Sequence, residues 1–364
     1  MKDKISVFVI SPFDCFFADG GAENICRILC LSLAKNYDVT ILHSEYNKQL
    51  PLGRIKQHGE GLCSCSAFYL DTWTQERGEV FPSFCNLAKE ILHDSKLLIT
   101  FERTILGINI PQISILGGIS YEHCKDIAKS QAWNKLIVPS YFIKEQCGKL
   151  RHETNEIQVI YNGINCNSFF KYNEQKTYTV LLPFRPDRGK GFFESIEFIS
   201  KVNKIGKWGQ YSILITRLDK NESVSFYNEV DRYANEHNVV IKYIPWGSSN
   251  EMNDIYNKSD FILSLGCLEE GFGLTTIESI LSGRAVISRK IGATPEVLPP
   301  DSGIVFFESL ITDESVRKTM DYVTSKEIVK NLSRGATYIK EKYNEERMCE
   351  EMKLMIKKYL SECL

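Results

Sequence analysis

Short apolar runs rich in β-branched residues alternate with longer stretches of helical period along this chain. In the first half the runs are Lys4–Ile10, Val39–His43, Leu97–Phe101, Gln112–Leu116 and Lys135–Val138, each of strand length and each bounded by polar or turn-forming residues. After the first run, residues 22–35 carry apolar side chains at Ile25, Ile28, Leu29, Leu31 and Leu33, which predicts a helix with a broad buried face. The second half restarts the same alternation. Thr179–Pro183 reads as a strand and Phe192–Val202 as its helix, followed by strands at Tyr211–Ile215, Val239–Ile244, Phe261–Leu265, Ala285–Ser288 and Gly303–Phe306. From about Glu314 to the end the pattern is helical throughout, and Met348, Met352, Met355, Ile356 and Tyr359 give the last helix one apolar stripe. Strands alternating with helices predict parallel sheets in an α/β fold. Asn165–Lys176 between the halves is polar and lacks periodic apolar positions, so it reads as a linker. The expectation is two doubly wound domains, 1–166 and 177–344, facing a cleft, with ligands at the carboxyl ends of the strands.

Composition narrows the classes. The chain has 364 residues, 43% hydrophobic and 25% charged, an ordinary globular composition too long for one typical core. A net charge of -2 gives no support for nucleic-acid binding. The apolar run near the N-terminus is too short for a signal peptide, and no stretch of about 18 apolar residues is present to span a membrane. Twelve cysteines are scattered, with Cys63 and Cys65 the closest pair. That C-x-C spacing is neither a zinc-knuckle nor a thioredoxin signal, and no His/Cys cluster predicts a metal site. The expectation is a cytoplasmic protein with reduced, mostly buried thiols.

Three loops carry candidate chemistry. The strongest is Glu269-Glu270-Gly271-Phe272-Gly273-Leu274-Thr275-Thr276-Ile277-Glu278, which follows a predicted strand and opens a predicted helix. Its glycines let backbone N–H groups approach a ligand, a helix N-terminus attracts phosphate, and carboxylates accept hydrogen bonds from sugar hydroxyls. The bland reading is a helix start with Glu270 as a dipole-stabilising acid. Next is Phe184-Arg185-Pro186-Asp187-Arg188-Gly189-Lys190-Gly191, where Arg185 and Lys190 are spaced to converge on one diphosphate. Arg188 is a spare cation with Asp187 beside it, and a solvated basic turn is the alternative. The third is Asp19-Gly20-Gly21-Ala22-Glu23 before the first helix, a second place for anionic oxygen to meet backbone N–H groups, or a plain glycine-containing cap. None of these is a P-loop or a dinucleotide fingerprint.

Taken in order, Gly20-Gly21-Ala22-Glu23, Ile137-Val138-Pro139-Ser140, Val159-Ile160-Tyr161-Asn162-Gly163-Ile164, Arg185-x4-Lys190-Gly191, Glu270-Gly271-Phe272-Gly273-x4-Glu278 and Gly292-Ala293-Thr294-Pro295-Glu296-Val297 resemble the family 4 retaining glycosyltransferases of GT-B fold. The likeness runs from about residue 5 to 300 and is densest from 259 to 298. It implies that Arg185 and Lys190 neutralise the diphosphate of a nucleotide sugar, that Glu278 binds the ribose, and that Glu270 sits at the donor sugar with the backbone of Gly271, Phe272, Gly273, Leu274 and Thr275 around it. It further implies that Gly20 and Gly21 close over the phosphates from the other domain and that the last helix, about 345–364, packs back on the N-terminal domain. Two departures stand out. The histidine that the family usually has after the strand that Gln112–Leu116 resembles is absent from Leu116-Gly117-Gly118, leaving His123 as an offset candidate or a lone surface histidine. The family's glycine-rich turn is replaced by Thr216-Arg217-Leu218, and the base-binding loop reads Ile244-Pro245-Trp246-Gly247, where Trp246 either stacks on a base or packs its own loop.

No Asp-x-Asp occurs, so a metal-bridged donor is not expected. Cationic side chains and a helix N-terminus replace the metal in stabilising the leaving diphosphate, and no cofactor beyond the donor, most simply a uridine diphosphate sugar, is implied. Attack on the face from which the diphosphate departs, with a phosphate oxygen taking the acceptor proton, fits the family. Two rivals stay open: a nucleotide-sugar epimerase of similar architecture and a catalytically inactive sugar-nucleotide-binding module. The acceptor is equally open among a small molecule, a lipid-linked sugar and a polysaccharide. Residues 125–151 hold Lys125, Lys129, Lys135, Lys144, Lys149 and Arg151 against Asp126 and Glu145, which reads either as a solvated helical face or as a weak peripheral contact with an anionic membrane.

Overall fold

The computed structural model describes residues 2–9, 21–45, 47–69, 74–76, 79–81, 84–150, 155–170, 176–217, 223–247, 251–307 and 310–363. The chain divides into two compact units, Met1–Gly163 with Glu345–Leu364, and Ile164–Asn344.

The first unit carries strands β1 (Lys4–Phe8), β2 (Asp38–Glu45), β3 (Ile55–Gly59), β4 (Leu62–Tyr69), β5 (Thr74–Glu76), β6 (Glu79–Phe81), β7 (Leu97–Phe101), β8 (Thr104–Ile105), β9 (Gln112–Ile115), β10 (Lys135–Val138) and β11 (Ile157–Val159). Its helices are α1 (Gly21–Leu33), α2 (Asn86–His93), α3 (Glu122–Lys129) and α4 (Tyr141–Leu150). The main sheet has the order β11-β10-β9-β7-β1-β2-β4-β3. All its pairings are parallel apart from β3 against β4, while β5, β6 and β8 form a small separate sheet. Both faces of β1 are buried, with Ile5 and Val7 in the core with α1 and Phe8 in the core with α2, and the buried Ser6 hydroxyl between them lies 2.7 Å from that of Ser95.

The β3–β4 hairpin was not legible in the apolar pattern, for a clear physical reason. β4 is Leu62-Cys-Ser-Cys-Ser-Ala-Phe-Tyr69, and Ser64, Cys65, Ser66 and Ala67 are all buried. Small side chains fill that layer, and its polar atoms are satisfied locally: His58 Nε2 lies 2.9 Å from the Ser64 hydroxyl, and the Ser66 hydroxyl accepts from the Arg54 N–H at 3.0 Å. α1 buries Ile25, Cys26, Leu29, Cys30 and Leu33. Leu31, expected on the same face, is 46% exposed, because it stands two positions beyond Leu29, about 200° around a helix.

The second unit carries β12 (Thr179–Leu182), β13 (Ser212–Arg217), β14 (Ile241–Pro245), β15 (Phe261–Ser264), β16 (Ala285–Arg289) and β17 (Ile304–Phe307). They pair in parallel in the order β14-β13-β12-β15-β16-β17. The connecting helices are α5 (Phe192–Ile205), α6 (Val224–Glu236), α7 (Met252–Tyr256), α8 (Leu274–Leu281) and α9 (Thr294–Val297). The order reverses at β12, where β13 and β15 lie on opposite sides, which is the switch point of a doubly wound sheet. Each unit is thus Rossmann-like.

The tail is helical, as its pattern predicts, in three helices: α10 (Asp313–Val323), α11 (Lys326–Lys342) and α12 (Glu345–Cys363). Thr312 and Ser315 form a capping box at the start of α10, and the Ser325 side chain caps α11 by accepting from Ile328 N, so α10 and α11 each start on N-cap chemistry. α12 belongs to the first unit. Met348, Met352, Met355, Ile356 and Tyr359 are buried in one core with Ile25 and Leu29 of α1. The stretch read as a linker is in part packed into the second unit. Cys166–Ser168 makes a 3₁₀ turn, Phe169 packs on Tyr256, and Phe170 donates its N–H to Asn253 Oδ1 at 2.8 Å. Asn165 and Asn167 lend the segment its polarity but face outward as a turn cap.

Candidate functional site

The second unit gathers most of the candidate residues at the carboxyl edge of its sheet. After β12, Phe184 is buried in the core and the chain emerges at Arg185, which is exposed. Among the described residues Arg185 makes no hydrogen bond or ion pair. Asp187 accepts from Gly189 N at 2.7 Å and so closes the 3₁₀ turn Arg188–Lys190. Its carboxylate is used as a cap, and Arg188 turns instead to Glu229 and lies over the Phe193 ring at 5.5 Å.

Lys190 points across to the next loop, where its ammonium pairs with Glu270 Oε1. The two loops are stacked backbone on backbone. Leu268 donates its N–H to Gly189 O at 3.0 Å, and a Cβ on Gly266 would lie 2.1 Å from that same oxygen, so no side chain fits at this seam. A third loop closes the stack from the β16 side. Ala293 donates to Glu270 O at 2.9 Å, and Gly292, at φ +60°, has its α-carbon against Glu270, where a Cβ would sit 2.6 Å from the carbonyl oxygen. Residues 80 apart in the chain, Lys190 and Glu270, are therefore brought together by glycine-permitted contact between loops.

Gly273, in the left-handed conformation, caps α8, with Leu274 and Thr275 in the first turn. Phe272 is a core residue, with its ring edge-on to Tyr343 at 5.2 Å, so only its backbone faces the loop. Two turns along α8, Glu278 accepts a 2.7 Å hydrogen bond at Oε2 from the Tyr256 hydroxyl. Close packing of protein atoms around its carboxyl pushes it up to about 7, against the opposing effect of the Tyr256 hydrogen bond. Burial, reinforced by the adjacent carboxylate, pushes the Tyr256 phenol well above its ordinary value. Tyr256 and Gly266 are site residues that the motifs did not single out: Tyr256 sits in Ile-Tyr-Asn-Lys, where no glycine or charge pattern marks it.

The Trp246 N–H donates to Arg217 O at 3.0 Å, and its side chain is half-buried at the end of β14. Arg217 lies over the rings of Tyr227 and Tyr243, at 5.2 and 5.5 Å. His123 belongs to the first unit, in the opening turn of α3. It stacks on Tyr121, its Nε2 lies 3.3 Å from Cys124 Sγ, and burial followed by the nearby Arg103 lowers its pKa, so the ring is neutral at pH 7. Gly21 is the first residue of α1; Gly20 lies outside the described residues. Among the described residues no group of three His, Cys, Asp or Glu side chains is placed to hold a metal, and no helix is long and apolar enough to cross a membrane. In the basic stretch, Lys125, Lys129, Lys135 and Lys149 are paired with Glu122, Asp126, Glu156 and Glu145, ordinary surface pairings in which Glu122 and Glu156, from outside the stretch, offset part of its local excess.

Cations set against carboxylates, at the carboxyl edge of a doubly wound sheet, suit a ligand with both an anionic and a polyhydroxylated part. No family model matches the chain. An uncharacterised glycosyltransferase of Methanocaldococcus jannaschii is 20% identical over 253 residues, 66% of this chain and 66% of that protein. Among solved structures, sucrose-phosphate synthase from Thermosynechococcus elongatus superposes with a TM-score of 0.74 at 15% identity, covering 99% of this chain and 100% of the other. A glycosyltransferase from Rickettsia africae gives 0.72 at 17% identity, over 99% and 98%. Anabaena HepE, solved with UDP and glucose, gives 0.73 at 13%, over 98% and 100%. At these identities the likeness is one of fold: the chain shares the GT-B architecture of these proteins.

Proposed function

We propose that the protein is a retaining glycosyltransferase that transfers a sugar from a nucleotide diphosphate, with a uridine diphosphate sugar as donor, and that it needs no metal to do so. The observation that carries this reading is the stacked pair of loops that sets Lys190 against Glu270, with Arg185 exposed beside it and Glu278 two turns along the helix. Arg185 and Lys190 neutralise the diphosphate, Glu270 and the backbone of residues 271–275 hold the sugar hydroxyls, Glu278 takes the ribose diol, and Trp246 flanks the base. Gly20 and Gly21 contribute backbone N–H groups and the first unit carries the acceptor, with His123 among its candidate contacts. The structure of HepE with UDP-glucose supports the choice of donor for this fold.

In the reaction the bond from the anomeric carbon to the diphosphate oxygen breaks as the acceptor oxygen bonds to that carbon on the same face. The acceptor proton passes to a diphosphate oxygen, and negative charge grows on the leaving group where Arg185 and Lys190 stand. Its place of work is the cytoplasm, where thiols stay reduced. The test is a panel of nucleotide sugars in the presence of a chelator. Consumption of a uridine diphosphate sugar with EDTA present, giving an α-linked product by its anomeric proton coupling, is expected. Activity that needs added magnesium or manganese, a β linkage, or an epimerised donor formed with no acceptor present each refutes the reading.

A further inference from the structure

Tyr256 is one of the largest fully buried side chains of the protein, and its hydroxyl ends on the one carboxylate of α8. The contact is not incidental to packing. α7, which carries Tyr256, is tied down on every side by a buried polar cluster. Asn253 Oδ1 receives Phe170 N at 2.8 Å and the Ser282 hydroxyl at 3.2 Å. Asn257 donates to Phe170 O at 3.0 Å and to Asn253 O at 2.9 Å, and its own Oδ1 accepts from Arg284 at 2.8 Å. The Phe169 ring packs on Tyr256 at 6.3 Å. The anchored phenol donates its proton to Glu278 Oε2, 2.7 Å away, with the Thr275 and Ser279 side chains also in hydrogen-bonding reach of its oxygen.

We infer that Tyr256 is a positioning residue for nucleotide recognition: its phenol fixes the rotamer of Glu278 and favours the ionised carboxylate over the neutral acid, so that the other carboxylate oxygen faces the ribose diol. The inference rests on the donor assignment above. A carboxylate in a densely packed place reverts to the neutral acid unless something hydrogen-bonds its charged form. A charged acceptor holds hydroxyls roughly twice as strongly as a neutral one. Tyr256 is the titratable group that bears on Glu278. From the other elements packed on α8, Arg284 at the start of β16 is engaged by Asn257, and α11 presents the buried Asn331, Gly335 and Ile339. Without the phenol, Glu278 would hold its proton to higher pH and lose its fixed orientation.

Three measurements on wild type, Tyr256→Phe, Glu278→Gln and the double variant test this. The first is the carbon-13 titration of the Glu278 carboxyl in the free protein, which needs no ligand. Tyr256→Phe should raise its midpoint by about one pH unit, the differential worth of an ordinary hydrogen bond to a charged group. The second is the dissociation constant of UDP by calorimetry from pH 6 to 9. Wild-type affinity should fall as pH drops through about 7. Tyr256→Phe should weaken binding about fivefold to tenfold at pH 7 and much less at pH 9, while Glu278→Gln gives a flat profile. The third is the double variant, in which Tyr256→Phe should add no loss to Glu278→Gln. An unchanged Glu278 midpoint overturns the inference. So does a loss in Tyr256→Phe that is equal at every pH and persists in the Glu278→Gln background, since that is the mark of a packing defect alone. A wild-type protein that binds no UDP at any pH overturns the donor assignment; the carbon titration separates that failure from failure of the Tyr256 contact.

Discussion

The Lys190–Glu270 ion pair makes an unusual prediction about product binding. In the structure the ammonium that should meet the diphosphate is held by the carboxylate that should meet the sugar. UDP alone must draw Lys190 away while leaving Glu270 with no hydroxyls to accept, whereas a UDP-sugar replaces both halves of the pair at once. Glu270→Gln removes the competitor and a like charge near the diphosphate, so it should tighten the binding of UDP. The side chains are 20% and 34% exposed, which places the pair in the screened regime of about 0.2–1 kcal/mol, or roughly a 1.5- to 5-fold gain. The same substitution weakens the sugar contacts by replacing a charged acceptor with a neutral one, at about 1 kcal/mol or more for each hydrogen bond. UDP-glucose should therefore lose roughly tenfold or more while UDP gains. Calorimetric titration of both ligands into both proteins measures this, at about 50 and 300 mM salt, where screening should shrink the gain for UDP. Weaker UDP binding by Glu270→Gln would refute the reasoning, because it would mean that Glu270 places Lys190 for the phosphates rather than competing with them.

Arg185→Ala and Lys190→Ala should each lower kcat by roughly 10²–10³, since charge grows on the leaving group only in the transition state; near-wild-type kcat in steady-state assays would dismiss this loop as the diphosphate site. Glu278 should cost the free protein stability at neutral pH. Its folded-state pKa of about 7 lies above the ordinary 4.5, so the folded state binds the extra proton and stability falls as pH rises from 4.5 to about 7. Glu278→Gln should then raise the melting temperature at pH 8 and leave it near wild type at pH 5; a lower melting point at pH 8 contradicts this. In α12, Met352→Ala, within the shared core, should destabilise the first unit by about 2–5 kcal/mol, whereas Leu354→Ala, at a side chain 66% exposed, should change it by less than about 0.5 kcal/mol. Thermal melts read with limited proteolysis separate the two.

The legible part of the fold is the part written in bulky apolar residues. Leu97–Phe101 and Lys135–Val138 appear in the structure at the bounds read from the sequence, since a strand buried on both faces reads as a mostly apolar run. β4 escaped because its buried layer is built from cysteine, serine and alanine, and its partner β3 because most of its residues are exposed. The site divides the same way. Arg185, Lys190, Glu270 and Glu278 were marked by glycines and charges at strand-to-helix turns. That Lys190 would be held by Glu270, that Arg188 would leave Asp187 for Glu229, and that Tyr256 would end on Glu278 are contacts across 80, 41 and 22 positions. Such contacts depend on how loops stack, which local patterning does not encode.

That α12 completes the core of the first unit has a consequence for how the protein comes into being. The ribosome finishes β11 long before it makes Glu345, and everything in between belongs to the second unit. At about 5–20 residues per second, that is on the order of ten to forty seconds. During that interval the nascent first unit carries an open apolar face, Ile25 and Leu29 among it, and the unit begun later has its last residue, Asn344, before α12 is made. The part of the protein translated first is thus the last able to fold to completion, with apolar surface exposed meanwhile.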